Sequence, residues 1–289
     1  MQTRVRLAIS TCPNDTFAFH GLLTGSVDTR GLTFDVELLD IQQLNDRMFS
    51  GQFDIAKGSF HAAIRLADKC YVLPSGSALG FGVGPLLLAA EPATAPEIGS
   101  EQLTLCPGAH TTAALLFQIF YAGKSCVEHV VFSDIMPRLR AKQANFGVCI
   151  HEGRFTWQRE GLSLVEDLGT RWEQETHCPL PLGGIFARRG LTPDLIARAQ
   201  DAIADSIEFA MRDPDQALPT MRKHAQEFDD DVLMQHVELY VNQWTRDLGA
   251  EGKRALDELS QRSAAAGVTD GAASLEIFGP HVLRAIDAH

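Results

Sequence analysis

Short apolar segments alternate with segments of helical periodicity over the first two thirds of the chain. The segment RVRLAIS at residues 4–10 precedes the apolar helical pattern TFAFHGLLTG, and LTFDVELLD precedes IQQLNDRMFSGQ. A strand that is followed by a helix and then by another strand needs a crossover connection, so this order predicts parallel strands covered by helices. The chain is therefore predicted to be an α/β protein.

Two apolar strands, at residues 83–90 and 182–188, each follow a glycine-rich turn and bracket a block of further strands and helices. The simplest architecture inserts this block into the first lobe and uses the two strands as a double hinge. Two-lobed (type II) periplasmic-binding-protein-like folds are built in this way, with a ligand cleft between lobes that can close. We therefore expect a discontinuous large lobe from residues 1–87 and 188–289 and a small inserted lobe from residues 88–187. A single doubly wound sheet is the alternative.

Composition limits the partners that the chain can have. The formal net charge is −12 at pH 7, and 45% of residues are hydrophobic against 21% charged. Nothing in such a sequence supplies the basic patch that nucleic acid or an anionic membrane would require. No stretch is apolar for the 18 or so consecutive residues that a membrane span needs. A negative surface can still hold a local anion site built from backbone amides and hydroxyls, so the expected partner is a small anionic molecule and not nucleic acid or a membrane.

The N-terminal segment and the cysteines indicate a cytoplasmic protein. The apolar run after Met1 is short and is interrupted by Arg6, which is typical of a first strand and not of a secretory leader. The six cysteines form no CxxC pair, so reduced thiols are expected and a metal site is not. The sequence leaves the oligomeric state open, with a homodimer as one candidate.

Polar residues follow two strands of the first lobe. In open α/β sheets, ligands bind beyond the carboxyl ends of the strands. Asn14 lies in the string CPNDT after the first strand, where a helix start would suit an anion; a plain helix cap is the alternative. Lys57, Gly58 and Ser59 follow the strand FDIA, and the glycine would let a ligand approach the backbone closely. A tight turn into the next helix explains these three residues equally well.

Two further strand ends carry candidate residues in the inserted block. Thr111 and Thr112 precede the apolar helix AALLFQIF, and we expect one hydroxyl to cap the helix and the other to bind a ligand. His151 directly follows the strand at residues 146–150, where an imidazole could act as a general base near neutral pH. The alternative for His151 is a structural histidine. Its neighbour Glu152 could orient the ring.

Five strings, in this order, resemble a known family. They are ISTCPNDTFAFHGLLTG, PGAHTTAALL, CIHEGRFTW, PLPLGGIFARR and YVNQWTRDLG. Together they resemble the 1,4-dihydroxy-6-naphthoate synthases, the cyclic dehypoxanthine futalosine lyases of the futalosine pathway of menaquinone biosynthesis. The resemblance covers nearly the whole chain, and CPNDTF and IHEGRFT are its most specific strings.

The resemblance implies a fold, a reaction and a set of site residues. That family has a two-lobed, periplasmic-binding-protein-like fold, uses no cofactor, and cleaves its cyclic substrate to the dihydroxynaphthoate and a three-carbon fragment. Its base matches His151, and its substrate-binding residues match the segment from Lys57 to Ser59 and the pair Thr111 and Thr112. The chain departs from the family pattern at Gly58, because the family has a leucine before the serine where this chain has a glycine.

Two other functions are compatible with the same architecture. One is a chorismate dehydratase-like sister enzyme of the same pathway, whose family lacks the strings CPNDTF and HEGRFT. The other is a solute receptor without catalytic activity, which would require export. Incubation with each substrate, followed by naphthoate absorbance, would distinguish these functions.

Overall fold

The computed structural model describes residues 3–92, 95–96, 101–151, 153–225 and 229–279, which form two β-sheets with helices packed around them. The strands are β1 (Thr3–Ser10), β2 (Leu32–Leu39), β3 (Ile55–Ser59), β4 (Cys70–Val72), β5 (Ala78–Gly80), β6 (Leu86–Ala89), β7 (Leu103–Pro107), β8 (Cys126–Val130), β9 (Phe146–Cys149), β10 (Ser163–Asp167) and β11 (Leu180–Arg188).

The helices cover both sheets. They are α1 (Pro13–Ala18), α2 (His20–Leu23), α3 (Ile41–Phe49), α4 (Phe60–Arg65), α5 (Thr112–Tyr121), α6 (Phe132–Arg140), α7 (Gly153–Thr156), α8 (Leu168–Thr176), α9 (Pro193–Arg212), α10 (Leu218–His224), α11 (Asp230–Tyr240), α12 (Gln243–Arg246) and α13 (Gly249–Ala265), with a 3-10 turn at Pro214–Ala217. None of the helices in the described part of the chain is long and apolar enough to cross a membrane.

The first sheet has the order β2-β1-β3-β11-β4, with β5 also paired to β11. β1 is parallel to β2 and β3, as the strand–helix order predicts, whereas β11 is antiparallel to β3. Helix α9 packs beside this sheet because Ile196, Ala199, Ile203 and Ile207 recur at helical spacing and are all buried. Thr192 caps the helix by accepting a hydrogen bond from the amide of Leu195.

The second sheet has the order β10-β6-β9-β7-β8. β7 is parallel to β8 and β9, and β6 runs antiparallel to β9 and β10. Both sheets are therefore mixed, with a parallel part built from consecutive strand–helix units. The parallel strands bring the carboxyl ends of β1 and β3 together in one sheet and those of β7 and β9 together in the other.

The chain passes between the sheets twice, once between β5 and β6 and once between β10 and β11. Such a double crossover is predicted from the sequence. The two strands predicted to form the hinge, at residues 83–90 and 182–188, correspond to β6 and β11, and they do not pair with each other. β6 belongs to the second sheet, and β11 hydrogen-bonds to β3, β4 and β5 of the first. The expected lobe boundary between residues 187 and 188 assigns β11 to the inserted lobe, whereas its hydrogen bonds join it to the first sheet.

The two crossing segments touch each other through glycines. A Cβ atom added to Gly84 would lie 2.1 Å from the Cα atom of Gly169, so only glycine fits at this contact. Arg154 of α7 joins the segments, because its guanidinium donates to the carbonyl of Gly84 and, at 2.9 Å, to the carboxylate of Asp167. Asp167 also caps α8 by accepting from the amide of Gly169. The crossing is therefore tightly packed and hydrogen-bonded.

One apolar cluster contains buried side chains from both sheets. Phe60 and Phe186 from the first sheet and its helices belong to the same cluster as Leu87 and Val148 from the second. The rings of Phe60 and Phe186 meet edge to face with centroids 5.7 Å apart. The two halves of the molecule therefore share part of their core beneath the crossing.

Candidate active site

A pocket lies between the two sheets, beyond the carboxyl ends of β1, β3 and β9. It contains about 680 Å³ of empty space, part of which is open to solvent. Six of the seven residues predicted to form a site line this pocket: Asn14, Lys57, Ser59, Thr111, Thr112 and His151. Segments far apart in the sequence therefore meet at one place, and Gly58 is the predicted residue that does not line it.

Lys57 forms a buried ion pair inside the pocket wall. Its ammonium nitrogen lies 2.7 Å from Oδ1 of Asp15 and donates to the carbonyl of Gly76 at 3.1 Å. Asn14 donates to the same carboxylate oxygen at 3.1 Å. Burial raises the pKa of Asp15, whereas the positive charge of Lys57 acts to lower it. The charge of Lys57 is thus compensated within the protein by Asp15.

Gly58 faces away from the pocket, contrary to the role expected for it. A Cβ atom at this position would lie 2.4 Å from the sulfur of Met48 and 3.3 Å from Oδ1 of Asn45, both on α3. Alternate residues of a strand point to opposite faces, so Lys57 and Ser59 reach the pocket and Gly58 cannot. The absence of a side chain at Gly58 therefore accommodates α3 and does not open the pocket to the backbone.

Ser59 is oriented by Asn45. The amide nitrogen of Asn45 donates to Ser59 Oγ at 3.0 Å, and its Oδ1 accepts from the backbone N–H of Ser59 at 2.8 Å. The same amide nitrogen donates to the carbonyl of His110 at 3.3 Å, which connects α3 to the loop before α5. Because Ser59 Oγ accepts this bond, its hydroxyl hydrogen is left to donate to a ligand.

The two threonines use their hydroxyl groups within the protein. Thr111 is the N-cap of α5: its Oγ1 accepts from the amide of Ala114 at 3.2 Å and donates to the carbonyl of Gly108 at 3.1 Å. Thr112 Oγ1 donates to the carbonyl of Leu182 in β11 at 2.6 Å. The expected capping role of one threonine is present. The hydroxyl of the other threonine, Thr112, is expected to bind a ligand, and in this structure it donates its hydrogen to β11, which joins α5 to the first sheet.

The first backbone amides of α5 can donate hydrogen bonds to an anion, whereas the hydroxyl hydrogens of the two threonines are used within the protein. Thr112 and Ala113 are the first two residues of this helix and line the pocket. The amides of a first helical turn have no acceptor within the helix, and the positive end of the helix dipole favours negative charge there. His61, buried behind the helix start, donates from Nδ1 to the carbonyl of Thr111 at 3.2 Å and supports this turn.

His151 lies at the end of β9, beside the residues that follow β1. Its backbone is in the left-handed region, with φ of 55°, which turns the chain sharply after β9. Its Nδ1 lies 3.4 Å from the sulfur of Cys12, and the edge of its ring meets Phe132 with centroids 4.7 Å apart. The imidazole therefore bridges the ends of β1 and β9. Glu152, expected to orient it, is outside the described residues.

A second histidine lies beside His151 and was not predicted from the sequence. His236, on α11, is only 2% exposed and lines the pocket. Its ring is nearly parallel to that of His151, at 22°, with centroids 6.2 Å apart. Burial lowers the pKa of His236 to about 3, with a smaller contribution from His151, so the ring is neutral near pH 7.

Asp15, Asn45 and His236 contribute to the site but were not predicted from the sequence. Asp15 is adjacent to Asn14 in the same string, so the motif itself contained it. Asn45 and His236 lie within ordinary helical patterns, and no local signal distinguishes them from other polar residues. The described residues contain no group of three or more histidines, cysteines or carboxylates arranged to hold a metal ion.

Comparison with known proteins places the chain in a family. A family model described as menaquinone biosynthesis matches residues 5–265. The chain is 40% identical over 264 residues to the 1,4-dihydroxy-6-naphthoate synthase of Thermus thermophilus, covering 91% of this chain and 95% of the relative. It is 39% identical over 269 residues to the enzyme of the same name from Streptomyces coelicolor, covering 91% and 94%.

Solved structures with the same fold include binding proteins. A crystal structure of a protein from Archaeoglobus fulgidus matches with a TM-score of 0.86 and 29% identity, covering 92% of this chain and 98% of that one. The ligand-binding component of an ABC-type import system from Staphylococcus aureus matches with a TM-score of 0.71 and 14% identity, covering 98% of each chain. The fold is therefore the two-lobed, periplasmic-binding-protein-like fold expected from the sequence. By its sequence, the chain belongs to the menaquinone biosynthesis family that includes these 1,4-dihydroxy-6-naphthoate synthases.

Proposed function

We propose that the chain is a cofactor-independent lyase that converts cyclic dehypoxanthine futalosine to 1,4-dihydroxy-6-naphthoate in menaquinone biosynthesis. The observation that carries the proposal is the identity of about 40% with two named naphthoate synthases over nine tenths of the chain. The pocket supports it, because six residues expected in the site of such an enzyme line one cleft.

His151 is proposed as the general base that removes the proton whose loss starts the elimination. The ring lines the pocket, and it is held between Phe132 and the thiol of Cys12, which restricts its orientation. A neutral imidazole in this position can accept a proton near physiological pH. Formation of the aromatic naphthoate then provides the driving force for release of the three-carbon fragment.

The carboxylate of the substrate is proposed to bind near the start of α5. The available donors there are the hydroxyl of Ser59 and the amides of Thr112 and Ala113. Hydroxyl and amide donors can hold a carboxylate without a cation. This arrangement suits a protein whose Lys57 is paired with Asp15.

Closure of the two lobes over the substrate is proposed to exclude water from the reactive intermediate. The cytoplasm is the proposed location, which the six free cysteines support, because thiols remain reduced in that compartment.

The test is a direct assay. Purified protein is incubated with cyclic dehypoxanthine futalosine, and naphthoate formation is followed by absorbance and fluorescence; a parallel incubation contains chorismate. We expect naphthoate from the first incubation and no consumption of chorismate in the second. Chorismate consumption would indicate the sister dehydratase, and tight binding of the futalosine derivative without turnover would indicate a receptor.

A further inference from the structure

The polar atoms of His236 are the least satisfied in the pocket wall. Neither ring nitrogen has a hydrogen-bond partner among the residues that the structure describes, and both are buried. A neutral imidazole carries one N–H donor and one nitrogen acceptor, and leaving both unpaired in the interior costs free energy. An apolar ring would fill the same space without that cost, so an unpaired histidine here needs a reason.

The surroundings of His236 are aromatic and come from both halves of the molecule. Tyr240, one turn later on α11, has its ring centroid 4.7 Å away. Phe155 and His151, with centroids 5.9 and 6.2 Å away, follow β9 of the second sheet. The imidazole therefore lies where the two halves meet, in the wall of the pocket.

The chemistry of the ring selects the group that it can bind. Burial keeps His236 neutral, so it offers no charge to a carboxylate. One donor and one acceptor instead match a hydroxyl group, which can accept from one nitrogen or donate to the other. His236 adjoins His151, the proposed base, with ring centroids 6.2 Å apart.

We infer that His236 is a substrate-positioning residue, which forms a hydrogen bond with an uncharged hydroxyl on the part of the substrate that leaves as the three-carbon fragment. The assignment to that part rests on the proposed function. The contact holds the substrate at its reacting end, so that the proton to be removed faces His151.

Two variants and one control test this inference by steady-state kinetics and thermal melting. His236→Phe keeps a ring of similar shape without nitrogens, and His236→Gln restores one donor and one acceptor. His20→Phe is the control, because His20 is also buried but is hydrogen-bonded to Thr220 at 2.8 Å and does not line the pocket. A structural role for His236 would lower the melting temperature, as we expect for the control.

We expect His236→Phe to melt at or above the wild-type temperature, to raise KM for the futalosine derivative about tenfold and to lower kcat as well, because the proton is then less well aligned with His151, and to bind the naphthoate product as tightly as wild type. His236→Gln should recover most of the lost affinity. An unchanged KM in a folded His236→Phe protein, or an equal loss of product affinity, would overturn the inference. Absence of turnover by the wild-type protein in the same assay would count instead against the proposed function.

A second measurement does not depend on turnover by the variant. Protein labelled with ¹⁵N-histidine is saturated with the futalosine derivative after His151 has been replaced by Asn to prevent conversion. The ring nitrogens of His236 should shift towards hydrogen-bonded values on binding, with those of His20 unchanged. Unchanged His236 signals in the saturated protein would refute the contact.

Discussion

At the residue scale, His151 lines the pocket and has a left-handed backbone conformation. Its φ of 55° lies in the left-handed region, which asparagine tolerates better than alanine does. A substitution by asparagine therefore removes the imidazole while it preserves the turn after β9. This distinction matters because a loss of activity has to be separated from a loss of folding.

We expect His151→Asn to lower turnover by a factor on the order of 10²–10⁴, the usual contribution of a positioned general base. The loss should be in kcat more than in KM, because the proton is transferred only in the transition state. His177→Asn is the matched control, since His177 has a φ of 54° but is exposed and does not line the pocket. Single-turnover rates and melting temperatures are measured on the same preparations, and a stable His151→Asn protein with near-normal turnover would contradict the assignment.

A second prediction at this scale concerns the pair of Lys57 and Asp15, whose side chains are 5% and 4% exposed. Lys57→Met leaves the carboxylate buried without its partner, which should lower the free energy of unfolding by about 3–5 kcal/mol. The double variant with Asp15→Asn removes both charges and should recover most of that loss. Urea unfolding of the three proteins checks this, and equal stability of Lys57→Met and wild type would show that the pair is unimportant.

At the scale of elements, the site depends on contacts between helix ends, strands and the crossing segments. Thr112 joins α5 to β11, Asn45 joins α3 to both β3 and the loop before α5, and Arg154 joins α7 to the crossing. Each contact connects an element that lines the pocket to a neighbour. The crossing segments are packed so closely that a side chain has no space between them, because Gly84 and Gly169 are in direct backbone contact.

Gly84→Ala should therefore push the two crossing segments apart. We expect the free energy of unfolding to fall by about 3 kcal/mol, the upper part of the usual range for overpacking, and turnover to fall as well because Gly84 lines the pocket. Gly190→Ala is the control, since no atom lies within 4 Å of an added Cβ there. Denaturant unfolding measures both variants, and equal stability of the two would mean that the crossing can relax at little cost.

At the scale of the whole molecule, the fold buries histidines in a neutral state. Burial lowers the pKa of His236 to about 3 and that of His61 to about 4, whereas an unfolded histidine titrates near 6.5. Below pH 6.5 the unfolded chain therefore binds protons that the folded protein does not. Stability should fall as the pH decreases from 6.5 towards these values.

When the pH falls from 7 to 5, each of these two histidines should lower the free energy of unfolding by about 2 kcal/mol. His236→Phe removes one such contribution, so this variant should lose about 2 kcal/mol less than wild type over the same interval. Denaturant unfolding at both pH values measures the difference directly, and other titrating groups affect both proteins alike. Identical pH dependences would show that His236 is not buried neutral in the folded state.

The sequence by itself determined the fold class, the order of the strand–helix units and the strand ends that meet in the cleft. Hydrophobic periodicity is a local property, and parallel strands necessarily bring their carboxyl ends to one edge, so Ser59 and His151 could be placed near a pocket without coordinates. The sequence could not show which hydroxyl groups already form hydrogen bonds within the protein, because the acceptor of Thr112 lies in β11, 70 residues away.

Only the tertiary structure decided the pairing of strands, the state of the charges and the second histidine. Residues 182–188 could not be assigned to a sheet, since an apolar strand fits any partner with free edges and its neighbours are chosen by the whole fold. Lys57 is neutralised by Asp15, 42 residues earlier, and His236 reaches the pocket from a helix with an ordinary pattern. Burial and proximity between distant segments set hydrogen bonds and pKa values, and these properties come into being only when the chain has folded.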